Sequence, residues 1–164
     1  MTRTVWQKSW VRFLTTVLTI AVLMMIFAFS TENAEDSDKT SGVFSMQIIR
    51  LFHPDYERMQ ADEQKTLYDR VQYIIRKCAH FTEYTALGFL IRLFLESWIG
   101  HRMKKSRIKA LIGFGAGTAY ACSDEIHQMS IDGRSGQWAD VLIDGSGVLA
   151  GVMLASLMIR KLSD

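Results

Sequence analysis

The sequence predicts an all-α integral membrane protein with about four transmembrane helices and one or two extracytoplasmic or interfacial amphipathic helices. Three observations carry this. Apolar residues gather in four blocks, near 13–29, 78–99, 110–127 and 141–159. Most of the charge sits between the first two blocks and in one short basic loop between the second and third. The short flanks are basic at alternate ends of these blocks, as orientation by the positive-inside rule requires. An average of 49% hydrophobic and 22% charged residues would also fit an ordinary soluble domain, so the arrangement decides and not the composition. The 164 residues form one membrane domain.

The first block reads FLTTVLTIAVLMMIFAF without a charge, close to the length a helix needs to cross the hydrocarbon core. Arg3, Lys8 and Arg12 precede it. A signal peptide has the same outline, but no clean small-x-small cleavage site follows, and a retained helix is expected. The segment 30–76 is extracytoplasmic. It opens with the polar stretch STENAEDSDKTSG, then turns amphipathic, and Pro54 separates two short helices. The second begins near Tyr56, carries Met59, Leu67, Val71, Ile74 and Ile75 at helical spacing, and leads along the membrane surface into the next span.

The second span holds His80, Glu83, Arg92 and Glu96, of which Arg92 and Glu96 can pair at i,i+4. The loop HRMKKSRIK then packs five Lys/Arg. With this loop and the tail basic, and only Arg134 in the 129–140 loop, both termini are expected in the cytoplasm. Gly113 and Gly117, and Gly147 and Gly151, make two GxxxG pairs that predict close packing of the third and fourth spans on each other. The GFGAG run lacks the strand and phosphate-binding context of a nucleotide loop. A net charge of +2 without a basic helix excludes nucleic acid as a partner. Cys78 and Cys122 fall at different depths and are expected as free, buried thiols.

In this topology three polar helix ends meet one leaflet. Lys77, His80, Glu83 and Tyr84 fall in one stripe of roughly 120°, with Glu83 about 9 Å deeper than Lys77. Asp124, Glu125, His127 and Gln128 lie within one turn of the third span. Asp140 and Asp144 stand one turn apart on the fourth, and Arg134, between Gly133 and Gly136, is placed to fold back over them. Charge in a bilayer is costly, so such a cluster calls for either a self-satisfied ion-pair network or a site. Two chemistries fit a site. One is a divalent metal held by His80, His127, Asp124 and Asp144, with Glu83, Glu125 and Asp140 as further carboxylates; no HExxH or other ligand signature marks it. The other is recognition of an anionic or hydroxylated headgroup, with Lys77 and Arg134 as clamps, Tyr84, Asp124, Gln128, Asp140 and Asp144 as ligand-binding or orienting groups, and Glu125, His127, His80 or Glu83 in proton transfer. Binding and catalysis both stay open.

Three ordered motifs, Lys77-x-x-His80-Phe81-x-Glu83-Tyr84-x-x-Leu87-Gly88, Ala119-Tyr120-x-x-Ser123-Asp124-Glu125-x-His127-Gln128 and Gly133-Arg134-x-Gly136-x-x-x-Asp140-Val141-x-x-Asp144-x-x-Gly147, resemble the VanZ-like proteins, as does Phe29-Ser30 at the end of the first span. The resemblance covers most of the chain. It implies a multi-pass plasma-membrane protein of Gram-positive bacteria, linked through the founding member to low-level teicoplanin resistance. The expected partner is therefore a membrane lipid, a lipid-linked molecule or a lipoglycopeptide at the outer leaflet of the cell envelope. Two other classes compete. A proton- or ion-coupled transporter would use the same acids but need a polar path through apolar cytoplasmic halves, and a structural or partner-binding protein would use the 30–76 segment.

Overall fold

The computed structural model describes residues 5–131 and 137–162. Among the described residues five α-helices follow one another: α1 (Ser9–Ser30), α2 (Ala34–Phe52), α3 (Ala61–Ile99), α4 (Ser106–Gln128) and α5 (Trp138–Lys161). No strand occurs among the described residues. Two of the helices, α1 and α5, are long and apolar enough to cross a membrane by length and composition.

Local chemistry sets the helix ends. The Asn33 side chain accepts from the Asp36 N–H at 2.9 Å, and Glu35 and Asp36 add negative charge to the first turn of α2. That helix stops at Phe52, two residues before Pro54, as expected. A capping box of Gln60 and Glu63 opens α3. The helix then runs without interruption for 39 residues, about 58 Å. The sequence reading divided this stretch into an amphipathic surface helix and a span from Cys78. They are one rod, because no Gly or Pro interrupts the chain between Ala61 and Leu87 and the change from amphipathic to apolar does not alter the backbone hydrogen bonds.

The two halves of α3 do different work. Its first half folds back on α2: Gln72 donates to the Asp38 carbonyl at 3.1 Å, and Arg76 pairs with the Asp38 carboxylate at 3.1 Å. Its second half packs on α1, α4 and α5, with the most extensive contact against α5. The core between them is formed by Ile26, Tyr84, Leu87, Ala121, Val148 and Val152. Tyr120 ties α4 to α1 by donating to the Leu23 carbonyl at 2.8 Å, and the Thr15 and Ser97 hydroxyls bond at 3.1 Å where the start of α1 meets the end of α3. Both cysteines are free, and Cys78 is exposed instead of buried.

The glycines pack differently from the expected pairing. Gly117 does face α5, against the Val148 side chain, but Gly147 and Gly151 face α3 and not α4. Their neighbours are the backbone of Phe81, Thr85 and Phe89. A GxxxG face marks where a backbone must come close without naming the partner, and here the partner is the longest helix. A Cβ at Gly147 would lie 2.6 Å from the Phe81 carbonyl oxygen, which backbone cannot vacate. Gly147→Ala is therefore expected to cost about 1–3 kcal/mol despite the better helix propensity of alanine. Gly115→Ala, with nothing within 4 Å of the added atom, is the control and should leave the melting temperature unchanged or raised. Thermal unfolding of the purified chain checks both.

Candidate functional site

At the end of the bundle where α1 finishes, α2 folds over the first half of α3 and α4 ends. These four helices enclose a cavity of about 220 Å³. One wall is polar: His80 and Glu83 come from α3, and Asp124 and Gln128 from α4. The spacings explain the wall, since residues three or four apart on a helix share a face. The lining also carries apolar side chains, Ile26 and Phe29 from α1, Phe44 from α2 and Ile75 from α3. Arg76 and Glu32 complete the lining with one charge of each sign.

Behind the polar wall the acids are held in place. Gln128 donates to the Asp124 carboxylate at 3.0 Å, and both residues are buried. Tyr84 is fully buried, with its hydroxyl toward Asp124. Asp144, only 1% exposed, sets its Oδ1 3.5 Å from His80 Nδ1, and neither atom has a hydrogen-bond partner. That separation suits an ion pair once the imidazole is protonated, with His80 standing between a buried acid and the cavity. One turn earlier, Lys77 forms a close ion pair with Asp140 and lies over the Tyr73 ring at 5.0 Å.

The candidate residues thus divide. His80, Glu83, Asp124 and Gln128 line the cavity; Tyr84 and Asp144 back it; Lys77 and Asp140 neutralise each other beside it. Glu125 and His127 do not line it. Glu125 is buried and accepts from the Gln137 backbone N–H at the start of α5. His127 turns toward α1 and stacks on Phe27, with ring centroids 5.2 Å apart, leaving its buried Nε2 without a hydrogen-bond partner. Arg134 lies outside the described residues. The proposed metal set of His80, His127, Asp124 and Asp144 is not assembled: His127 stacks on Phe27, and the other three do not gather either. Among the described residues no three His, Cys, Asp or Glu side chains gather as metal ligands.

Sequence reasoning missed the contribution of α2 and its neighbours. Ser37, Thr40, Ser41 and Phe44, at i, i+3, i+4 and i+7, put two hydroxyl-bearing turns and a ring on the cavity, and Ser30 joins them from the end of α1. Ser30 is 2% exposed and its hydroxyl has no partner. The cation on the cavity is Arg76, one residue before the expected Lys77. The helical spacing of the hydroxyls was a signal in the sequence, but the fold-back that gives it meaning was not.

Over the described residues the fold is all-helical, and a helical hairpin lines a cavity that carries both apolar and ionisable side chains. The chain belongs to the VanZ/LLP1 family, whose model matches residues 15–159. No curated protein matches it. No solved structure matches it.

Proposed function

We propose that the chain is a multi-pass plasma-membrane protein with four spans and cytoplasmic termini, and that its cavity binds the polar head of a lipid-linked or lipoglycopeptide ligand at the outer leaflet. Lowered teicoplanin susceptibility of a Gram-positive cell follows from this binding. The observation that carries the reading is the mixed lining of the cavity. His80, Glu83 and Asp124 share it with Ile26, Phe29 and Phe44, which suits a ligand with a hydroxylated or anionic head and an apolar body. Support for the membrane comes from the large apolar side chains left uncovered along the helices, among them Phe13 at 71%, Leu111 at 69% and Leu142 at 76% exposed. The basic 100–109 loop and tail lie at the other end of the bundle, so the cavity end faces outward by the positive-inside rule.

One further observation favours this reading over a transporter. Leu87, Ala121 and Val148 are fully buried between the cavity acids and the Arg92–Glu96 pair, with Glu83 and Arg92 about 14 Å apart along α3. Among the described residues no Asp, Glu, Lys, Arg or His side chain of α3, α4 or α5 falls in that layer to pass on a proton or ion.

The test is teicoplanin susceptibility, with vancomycin as control, in a Gram-positive host expressing wild type or variants at matched membrane levels. Wild type should protect against teicoplanin, and His80→Ala and Asp124→Asn should not. Equal protection by all three would mean that the cavity is scaffolding.

A further inference from the structure

A second concave surface lies at the opposite end of the bundle, between α4 and α5. It has a volume of about 800 Å³ and a floor that includes Leu111, Phe114, Leu149 and Met153. Leu111 and Met153 are 69% and 57% exposed, so the floor is open along its length. Its rim is one-signed. Lys104, Arg107, Lys109 and Arg160 line it, with Glu96 as the one carboxylate among the described residues there.

That carboxylate is already taken. Glu96 Oε2 accepts from Arg92 at 2.8 Å and pairs with Lys109 at 2.7 Å, and both cations are buried. Arg92 also donates to Ser106 at 2.9 Å and Ser156 at 3.1 Å. Two buried cations thus share one acid, while among the described residues no carboxylate pairs with Lys104, Arg107 or Arg160. An apolar furrow that ends in unneutralised cations has the charge and shape of a complement to an anionic amphiphile. Phosphate would bring the missing negative charge, and an acyl chain would cover the floor.

We propose that this α4–α5 groove is a binding site for an anionic diacyl phospholipid, with the phosphate on Arg107 and Arg160 and one acyl chain along Leu111, Phe114, Leu149 and Met153. The site is separate from the cavity described above and takes a lipid of the other leaflet. Its failure would leave the cavity reading untouched, because the susceptibility experiment changes no groove residue.

The full-length chain, purified in neutral detergent, is titrated with dioleoyl phosphatidylglycerol and with dioleoyl phosphatidylcholine, and bound lipid is counted by native mass spectrometry. Phosphatidylglycerol should bind at least about tenfold more tightly. The Arg107→Gln/Arg160→Gln double variant, altered at two exposed positions, should fold with an unchanged melting temperature and lose that preference. Met153→Trp, which fills the furrow, should weaken both lipids. Equal binding of the two lipids, an undiminished preference in the double variant, or inorganic phosphate binding as tightly as the lipid would each overturn the proposal.

Discussion

Glu96→Gln is expected to destabilise the folded chain by about 3–5 kcal/mol, the cost typical of removing one partner from a buried ion pair. The cause is the ratio of charges. Arg92 is 0% and Lys109 3% exposed, and both rest on the same Glu96 oxygen. Without the carboxylate, Arg92 keeps two serine hydroxyls, and Lys109 keeps a buried ammonium with no counterion. The glutamine amide offers a neutral oxygen that cannot balance either. A second change should reverse much of the loss. In Glu96→Gln/Lys109→Met one buried cation goes with the anion, and the double variant should melt higher than Glu96→Gln alone. Thermal unfolding in detergent measures both steps. A Glu96→Gln chain as stable as wild type would mean that water already solvates this end of the bundle.

Asp144→Asn is expected to abolish protection while leaving the fold intact. The side chain is nearly isosteric and sits where its Oδ1 accepts no hydrogen bond, so little structure depends on the charge. What depends on it is His80. The imidazole lies 3.5 Å from that oxygen and on the wall of the cavity, so a carboxylate there can pair with the ring when it takes a proton from an acidic ligand. An amide cannot form that pair. Loss of one hydrogen bond to a charged group, worth about 1.5–3 kcal/mol, weakens ligand binding by roughly ten- to a hundredfold. Susceptibility assays and the binding of purified protein to teicoplanin both read this effect. His127→Ala is the internal contrast. Its ring packs on Phe27 away from the cavity, so protection should persist even if the melting temperature drops. Protection lost with His127→Ala and retained with Asp144→Asn would move the site to the other side of α4.

Much of the fold was legible, and the gaps have physical causes. The four apolar blocks lie inside α1, α3, α4 and α5, and Pro54 does end a helix, because hydropathy and proline act locally. The joining of the amphipathic stretch to Cys78–Ile99 was hidden, since hydropathy reports what surrounds a helix and not whether its backbone continues. For the site, spacing along one helix grouped His80 with Glu83 and Asp124 with Gln128 correctly. It could not choose between Arg76 and Lys77, which point about 100° apart and find Asp38 and Asp140 respectively. Nor could it separate His127 from Gln128, because the choice was made by Phe27 on a helix about a hundred residues away. The hydroxyls of α2 entered the cavity only through a tertiary fold-back.

The uninterrupted α3 also makes the molecule a gauge of height. From Ala61 to Lys77 the rod rises about 24 Å, and α2 is strapped along this part by Asp38. With no joint along the rod, its first half and the wall that carries His80 and Glu83 belong to one lever. Anything that tilts the first half of α3 tilts that wall by the same angle, so the height of Glu83 below the hairpin tip is as fixed as a rung on a ladder.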